Sequence, residues 1–213
     1  MALSLIQHPD GQHRCSWCGD GEAFADYIHY HDHEWGRPVV DDQRLFEKIT
    51  LEGFQAGLSW ITVLRKRNRF REVFQQFDFE KVARLTAKDV DRLVQDAGII
   101  RHRGKIESAI NNAQKVCSLV DDKGTGALAK LIWSFEPTDH QRPAKITPEA
   151  ASMLTQTEQS QRLSKTLRKM GFNFVGPTTM YALMQSRGVV NDHLEGCSHR
   201  AAVDEARAAL KRP

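Results

Sequence analysis

Apolar residues recur every three or four positions through most of the chain, and this pattern predicts helices. From Asp42 to Trp60, the residues Leu45, Phe46, Ile49, Phe54 and Leu58 share one helical face, with Asp41 or Asp42 placed to cap the start. A second helix is predicted from about Ile61 to Phe74, carrying Leu64, Phe70, Val73 and Phe74. Asp78 is placed to cap a short helix holding Val82 and Leu85. Thr86 and Asp89 open another, which turns Val90, Leu93 and Val94 inward and stops at Gly98. A further helix follows the Gly98–Gly104 segment and runs to about Val116, and 121–126 reads as a turn. Residues 136–157 hold Pro137, Pro143 and Pro148 with little periodicity, so an irregular region is expected there. Helical pattern resumes near Glu158 and ends at Gly171; Pro177 suits a first helical turn, and Gly188 closes the segment that follows. No strand alternation of useful length is present, so the expectation is an all-α fold.

Composition adds boundaries to this picture. The 213 residues suffice for one domain with a real core, 40% hydrophobic and 27% charged. No apolar run approaches bilayer length and the first residues lack signal-peptide architecture, so a soluble, cytoplasmic protein is expected. The net charge of +3 neither demands nor excludes nucleic acid. The cations are clustered, however: Arg65, Lys66, Arg67, Arg69 and Arg71 form one group, and Arg101, Arg103 and Lys105 form another. Solvated helix ends or a phosphate-binding surface would both account for them.

Three groups of residues carry candidate chemistry. Cys15, Cys18 and His31 near the start, with His193 and Cys197 near the end, offer thiolate and imidazole donors suited to zinc. On a helix, the four-residue spacing of His193 and Cys197 would put both on one face, although buried thiols and solvated histidines would also fit. Glu52, Gln55 and Ser59 make a polar stripe on an otherwise apolar helix, with Gly53 and Gly57 permitting close backbone approach. A buried acid there needs a partner, and a cationic ligand would serve. Rings are dense nearby: Trp17, Tyr27, Tyr30, Trp35 and Trp60 would suit either a core or the stacking of a flipped-out base. Finally, 94–106 reads as helix, glycine-bearing turn, helix. Its turn amides and helix N-terminus could hold a phosphate without reading sequence, although an ordinary helical hairpin would also fit the pattern.

The stretches YIHYHDHEWG (27–36), LEGFQAGLSWITVL (51–64), DAGIIRHRGKI (96–106), GFNFVG (171–176) and VNDH (190–193) closely resemble the bacterial 3-methyladenine-DNA glycosylase I family, within the helix-hairpin-helix glycosylase superfamily. The likeness recurs in order from about Arg14 to Cys197, which implies one glycosylase domain over 14–200, a leader at 1–13 and a tail at 201–213 that looks like a short helix. Neither end is expected to touch the chemistry.

The resemblance implies a structural zinc held by Cys15, His31, His193 and Cys197, with Cys18 an extra thiol. It implies Glu52 and Tyr30 as hydrogen-bonding groups of a base pocket and Trp17, Tyr27 and Trp60 as its stacking walls. Gly57 and Leu58 would fill the gap left in the duplex. Gly98, Arg101, Arg103, Gly104 and Lys105 would meet the DNA backbone. The implied reaction is hydrolysis of the N-glycosidic bond of 3-methyladenine in double-stranded alkylated DNA by a monomer. Glu52 would supply the counter-charge to the cationic base.

Superfamily relatives often carry an aspartate after the hairpin; here that segment offers Glu107 and no aspartate, and no general base is assigned. With no lysine assigned as a Schiff-base nucleophile, strand cleavage is not expected. A zinc-containing DNA-binding module, a zinc hydrolase with an open coordination position, and a glycosylase of wider scope that takes 3-methylguanine are the alternatives.

Overall fold

A computed structural model describes residues 3–213. Its helices are α1 (Ala25–His33), α2 (Asp42–Gln55), α3 (Trp60–Leu64), α4 (Arg67–Val73), α5 (Phe79–Val82), α6 (Ala87–Leu93), α7 (Arg103–Lys123), α8 (Ala127–Trp133), α9 (Pro148–Met153), α10 (Glu158–Lys169), α11 (Pro177–Ser186) and α12 (Arg200–Ala209). The helical expectation holds with one addition. Two short strands, β1 (Leu5–Gln7) and β2 (His13–Cys15), pair antiparallel with Leu5 opposite Cys15. Three residues per strand are too few to produce a legible alternation.

Helix α2 is central, packing against α3, α7, α8 and α11, and its residues 45–54 are buried on every side. Its capping separates two adjacent acids. Asp41 accepts from the Arg44 amide at 2.8 Å and starts α2, whereas the Asp42 carboxylate accepts from the amides of Gly126 and Ala129, both at 2.8 Å, and so opens α8. Asp78 and the Thr86/Asp89 pair cap α5 and α6 as the sequence predicts, and Pro177 begins α11. Phe46, Phe54, Phe70, Phe74 and Phe77 pack edge and face beside α2.

Several boundaries differ from the periodic reading. Helix α2 stops at Gln55 and leaves Leu58 45% exposed, because Gly57 adopts a φ of +80° that continues no helix. Lys105 of α7 reinforces the stop, donating from Nζ to the carbonyls of Phe54 (2.9 Å) and Ala56 (2.6 Å). The predicted 61–74 helix is two pieces, α6 ends at Leu93, ahead of Gly98, and α7 runs on to Lys123. The proline-bearing 136–157 region contains α9, started by the Thr147 side chain with Pro148 in the first turn.

The two ends of the chain meet. The His13 amide donates to the Ser198 hydroxyl and the Ser198 amide to the His13 carbonyl, each at 2.9 Å. The leader is therefore part of the hairpin, and α12 forms where the tail was expected to be helical.

Candidate functional site

Beside α2 lies a cavity of about 200 Å³. Trp17, Tyr27, Tyr30, Glu52 and Trp60 line it, with Gln55, Trp35 and, from the leader, Leu3. The leader thus reaches a site it was not expected to touch. The rings are mutually packed: Trp17 stands edge-on to Tyr27 at 5.1 Å, and Tyr30 is 5.3 Å from Trp60. Trp60 keeps a buried indole N–H with no hydrogen-bond partner among the described residues. That is an expensive group to leave unpaired, and it marks a wall able to donate to a ligand.

The acid on this wall already has its cation. Glu52 is 4% exposed, and its Oε1 lies 2.7 Å from Nζ of Lys48, one helical turn earlier and 1% exposed. The same ammonium donates to the Tyr30 hydroxyl at 3.0 Å and sits 3.1 Å from the Trp60 ring centroid. The sequence reading sought a cationic ligand for Glu52; the structure supplies a lysine instead. Lys48 was missed, although its four-residue spacing from Glu52 was a readable signal. Burial lowers its pKa to about 8, against the opposing pull of Glu52. Burial first, then the Glu52 charge, holds the Tyr30 hydroxyl well above its ordinary value, and burial pushes Tyr27 up to about 12. Both phenols are neutral near pH 7. Of the polar stripe, only Glu52 and Gln55 reach the cavity, since Ser59 lies beyond the break and bonds Thr62 at 2.7 Å.

The four implied metal donors converge. Cys15, His31, His193 and Cys197 are all buried, and their ligand atoms lie within 4.8 Å of one another. Cys197 Sγ is 3.6 Å from His31 Nε2 and 3.3 Å from His193 Nδ1. The far nitrogens are held from behind: His31 Nδ1 is 2.8 Å from Asp32, and His193 Nε2 is 3.2 Å from the Trp35 carbonyl. Asp32 is fixed in turn by Arg14. Imidazoles oriented by a carboxylate and a carbonyl are what a metal site requires. Two thiols buried together resist joint ionisation unless a cation compensates them, so the donor set fits a tetrahedral divalent ion. Cys18 is buried nearby, outside the four. His193 and Cys197 do not lie on a helix. A loop brings the pair together, turning at Gly196 (φ +85°) with the Cys197 amide donating to the Leu194 carbonyl at 2.9 Å. Trp17 joins the two sites, its ring 5.2 Å from His31 on one side and against Tyr27 on the other.

The candidate phosphate-binding residues divide. Arg101 is exposed at the turn before α7; Arg103 is exposed but bonded to Asp91 at 2.5 Å. Lys105 is buried on the end of α2, so it does not belong to a DNA-contacting surface. A Cβ on Gly98 would fall 2.5 Å from the Arg69 side chain, so its role is close packing. The first basic cluster is consumed internally: Arg65 pairs with Asp26, Arg67 with Glu34, Arg69 with Asp96 and Arg71 with Glu47, while Lys66 donates to the Ala97 carbonyl. Gly57 and Leu58 project at the break after α2, with open space around Gly57. Gly53, by contrast, does provide close approach, with Phe174 packed against it. Glu107 is exposed beside Gly104, Asn173 and Phe174, away from the lining of the ring cavity.

A family profile described as methyladenine glycosylase matches residues 17–201. The chain belongs to the methyladenine glycosylase family. It is 50% identical over 184 residues to a DNA-3-methyladenine glycosylase of Haemophilus influenzae, covering 86% of this chain and 96% of that protein. A crystal structure of a 3-methyladenine DNA glycosylase I superposes with a TM-score of 0.79 at 45% identity, over 87% of this chain and 98% of the other. A Staphylococcus aureus 3-methyladenine DNA glycosylase I, solved to explain recognition of 3-methyladenine, superposes with a TM-score of 0.75 at 35% identity, over 83% and 92% of the two chains. The helical fold is thus that of the methyladenine glycosylases, and no described helix is long and apolar enough to cross a membrane.

Proposed function

We infer that the protein is a base-excision repair glycosylase that hydrolyses the N-glycosidic bond of 3-methyladenine in alkylated DNA. The observation that carries this reading is the ring-walled cavity containing Glu52, in a chain that belongs to the methyladenine glycosylase family. Methylation at N3 makes the base cationic in DNA and weakens the bond to its sugar. When that bond breaks, the base takes the bonding electrons and leaves neutral, while water supplies the hydroxyl at the sugar carbon and gives up its other proton to solvent. Strong acid catalysis is therefore unnecessary, and selection of the base is the main task. Trp17, Tyr27 and Trp60 provide flat faces for a base turned out of a double-stranded duplex. Glu52 accepts hydrogen bonds. Tyr30 accepts from Lys48 and keeps its own proton to donate.

The Gly57–Leu58 break would fill the vacated stack, and the helix-hairpin-helix segment from α6 to α7 would hold the backbone through turn amides and Arg101. Zinc on Cys15, His31, His193 and Cys197 would have four protein ligands and no open position, which supports a structural role. Lys48 is engaged by Glu52, Tyr30 and Trp60, in keeping with a monofunctional enzyme that leaves the strand intact. A cytoplasmic, nucleoid-associated location follows from that role.

The test is release of free 3-methyladenine from methylated duplex DNA by the purified protein; intact DNA retaining all its methylated adenine would refute the assignment. The hairpin makes a separate prediction. Arg101→Ala should weaken DNA binding and reduce the salt dependence of log K by about one unit, with stability unchanged to within roughly 0.5 kcal/mol. Lys105→Ala should instead lower stability by about 1–3 kcal/mol in urea unfolding, because two carbonyls at the end of α2 lose their donor.

A further inference from the structure

We propose that Lys48 is a specificity-determining residue that neutralises Glu52 and so sets how much positive charge the pocket demands of its base. The inference rests on reading the ring-walled cavity as the base site. A carboxylate alone between aromatic faces would favour a cationic purine over a neutral one very strongly. Here the carboxylate and one face of the Trp60 ring are engaged by an ammonium belonging to the chain, 2.7 Å from Glu52 and 3.1 Å from the ring centroid. A cationic base entering this cavity meets a Glu52–Lys48 pair of zero net charge, and its own charge is repelled by Lys48 as it is drawn by Glu52. Selection is thereby shifted from charge toward shape, stacking and the hydrogen bonds of Glu52, Tyr30 and Trp60 Nε1.

The groups facing Lys48 make its charge the variable one. Glu52 comes from its own helix, Tyr30 from α1, Arg67 from α4 and Arg187 from the loop after α11. The arginines stay charged, and burial holds Tyr30 neutral far above pH 9. Lys48, lowered to about 8, loses its proton between pH 7 and 9.

The test uses two matched probes, 3,9-dimethyladeninium (permanently cationic) and 9-methyladenine (neutral), titrated against the full-length protein by calorimetry at pH 7 and pH 9. The wild-type ratio of affinities, cation over neutral, should rise at least about fivefold with pH as the ammonium is lost. Lys48→Met should start with the higher ratio and stay flat. Lys48→Arg, which keeps a charge throughout, should stay low and flat, and it stands in if the methionine variant does not fold. A wild-type ratio that does not move, or one that moves equally in Lys48→Arg, overturns the proposal. Failure of both probes to bind wild type would instead remove the base-site reading beneath it.

Discussion

Replacement of Glu52 by alanine should abolish most base release and also destabilise the protein. On the sequence reading, the partner of Glu52 is a cationic ligand. The structure puts Lys48 opposite Glu52, and both are buried. Removing one partner of a buried ion pair leaves the other uncompensated, at a cost of about 3–5 kcal/mol. Loss of the hydrogen bonds from the base to a charged acceptor should lower excision by roughly 10- to 100-fold. The two effects can be separated. The double variant Lys48→Met/Glu52→Gln removes both charges, and replacing such a pair is often neutral to stability. It should regain most of the wild-type midpoint in urea and still release little 3-methyladenine. A double variant with wild-type excision would show that Glu52 serves the fold and not the base.

The second large effect lies in the clasp. Cys197→Ser should lose bound zinc, measured by mass spectrometry of the purified protein, and lower Tm by on the order of 10 °C or more. Because the set joins residues 15 and 31 to 193 and 197, its loss frees the hairpin and the loop before α12 together. The Trp17 ring packs at a tilt against His31, so base affinity should also fall in this variant although Cys197 is not among the residues lining the cavity. Cys18→Ser is the control: zinc content should be retained. A full equivalent of zinc in Cys197→Ser would remove Cys197 from the ligand set.

What could be read from the sequence followed the range of the forces involved. Helix starts set by Asp41, Asp78 and Thr86 are local, and the chain shows them directly. The end of α2 was hidden because Leu58 continues the apolar period that Gly57 and Lys105 interrupt. The basic run from Arg65 to Arg71 resembled a phosphate surface because its acidic partners, Asp26, Glu34, Glu47 and Asp96, lie 24 to 39 residues away. The donors of the clasp were legible as residue types, but the loop that aims His193 and Cys197 was not, since four-residue spacing serves a tight turn as well as a helix. Lys48 escaped for a related reason. A lysine on a helix is normally solvated, and only three-dimensional packing reveals that this one is enclosed.

The burial of the clasp has a chemical consequence. Agents that methylate ring nitrogens in DNA are electrophiles, and thiolates are among the best nucleophiles they meet. A repair protein with an exposed Cys15 or Cys197 would be inactivated by the same reagent that creates its substrate. With exposures of 0% and 5%, and the Leu194 amide packed against the Cys15 sulfur, the protein shields its own points of attack under the conditions that call for its activity.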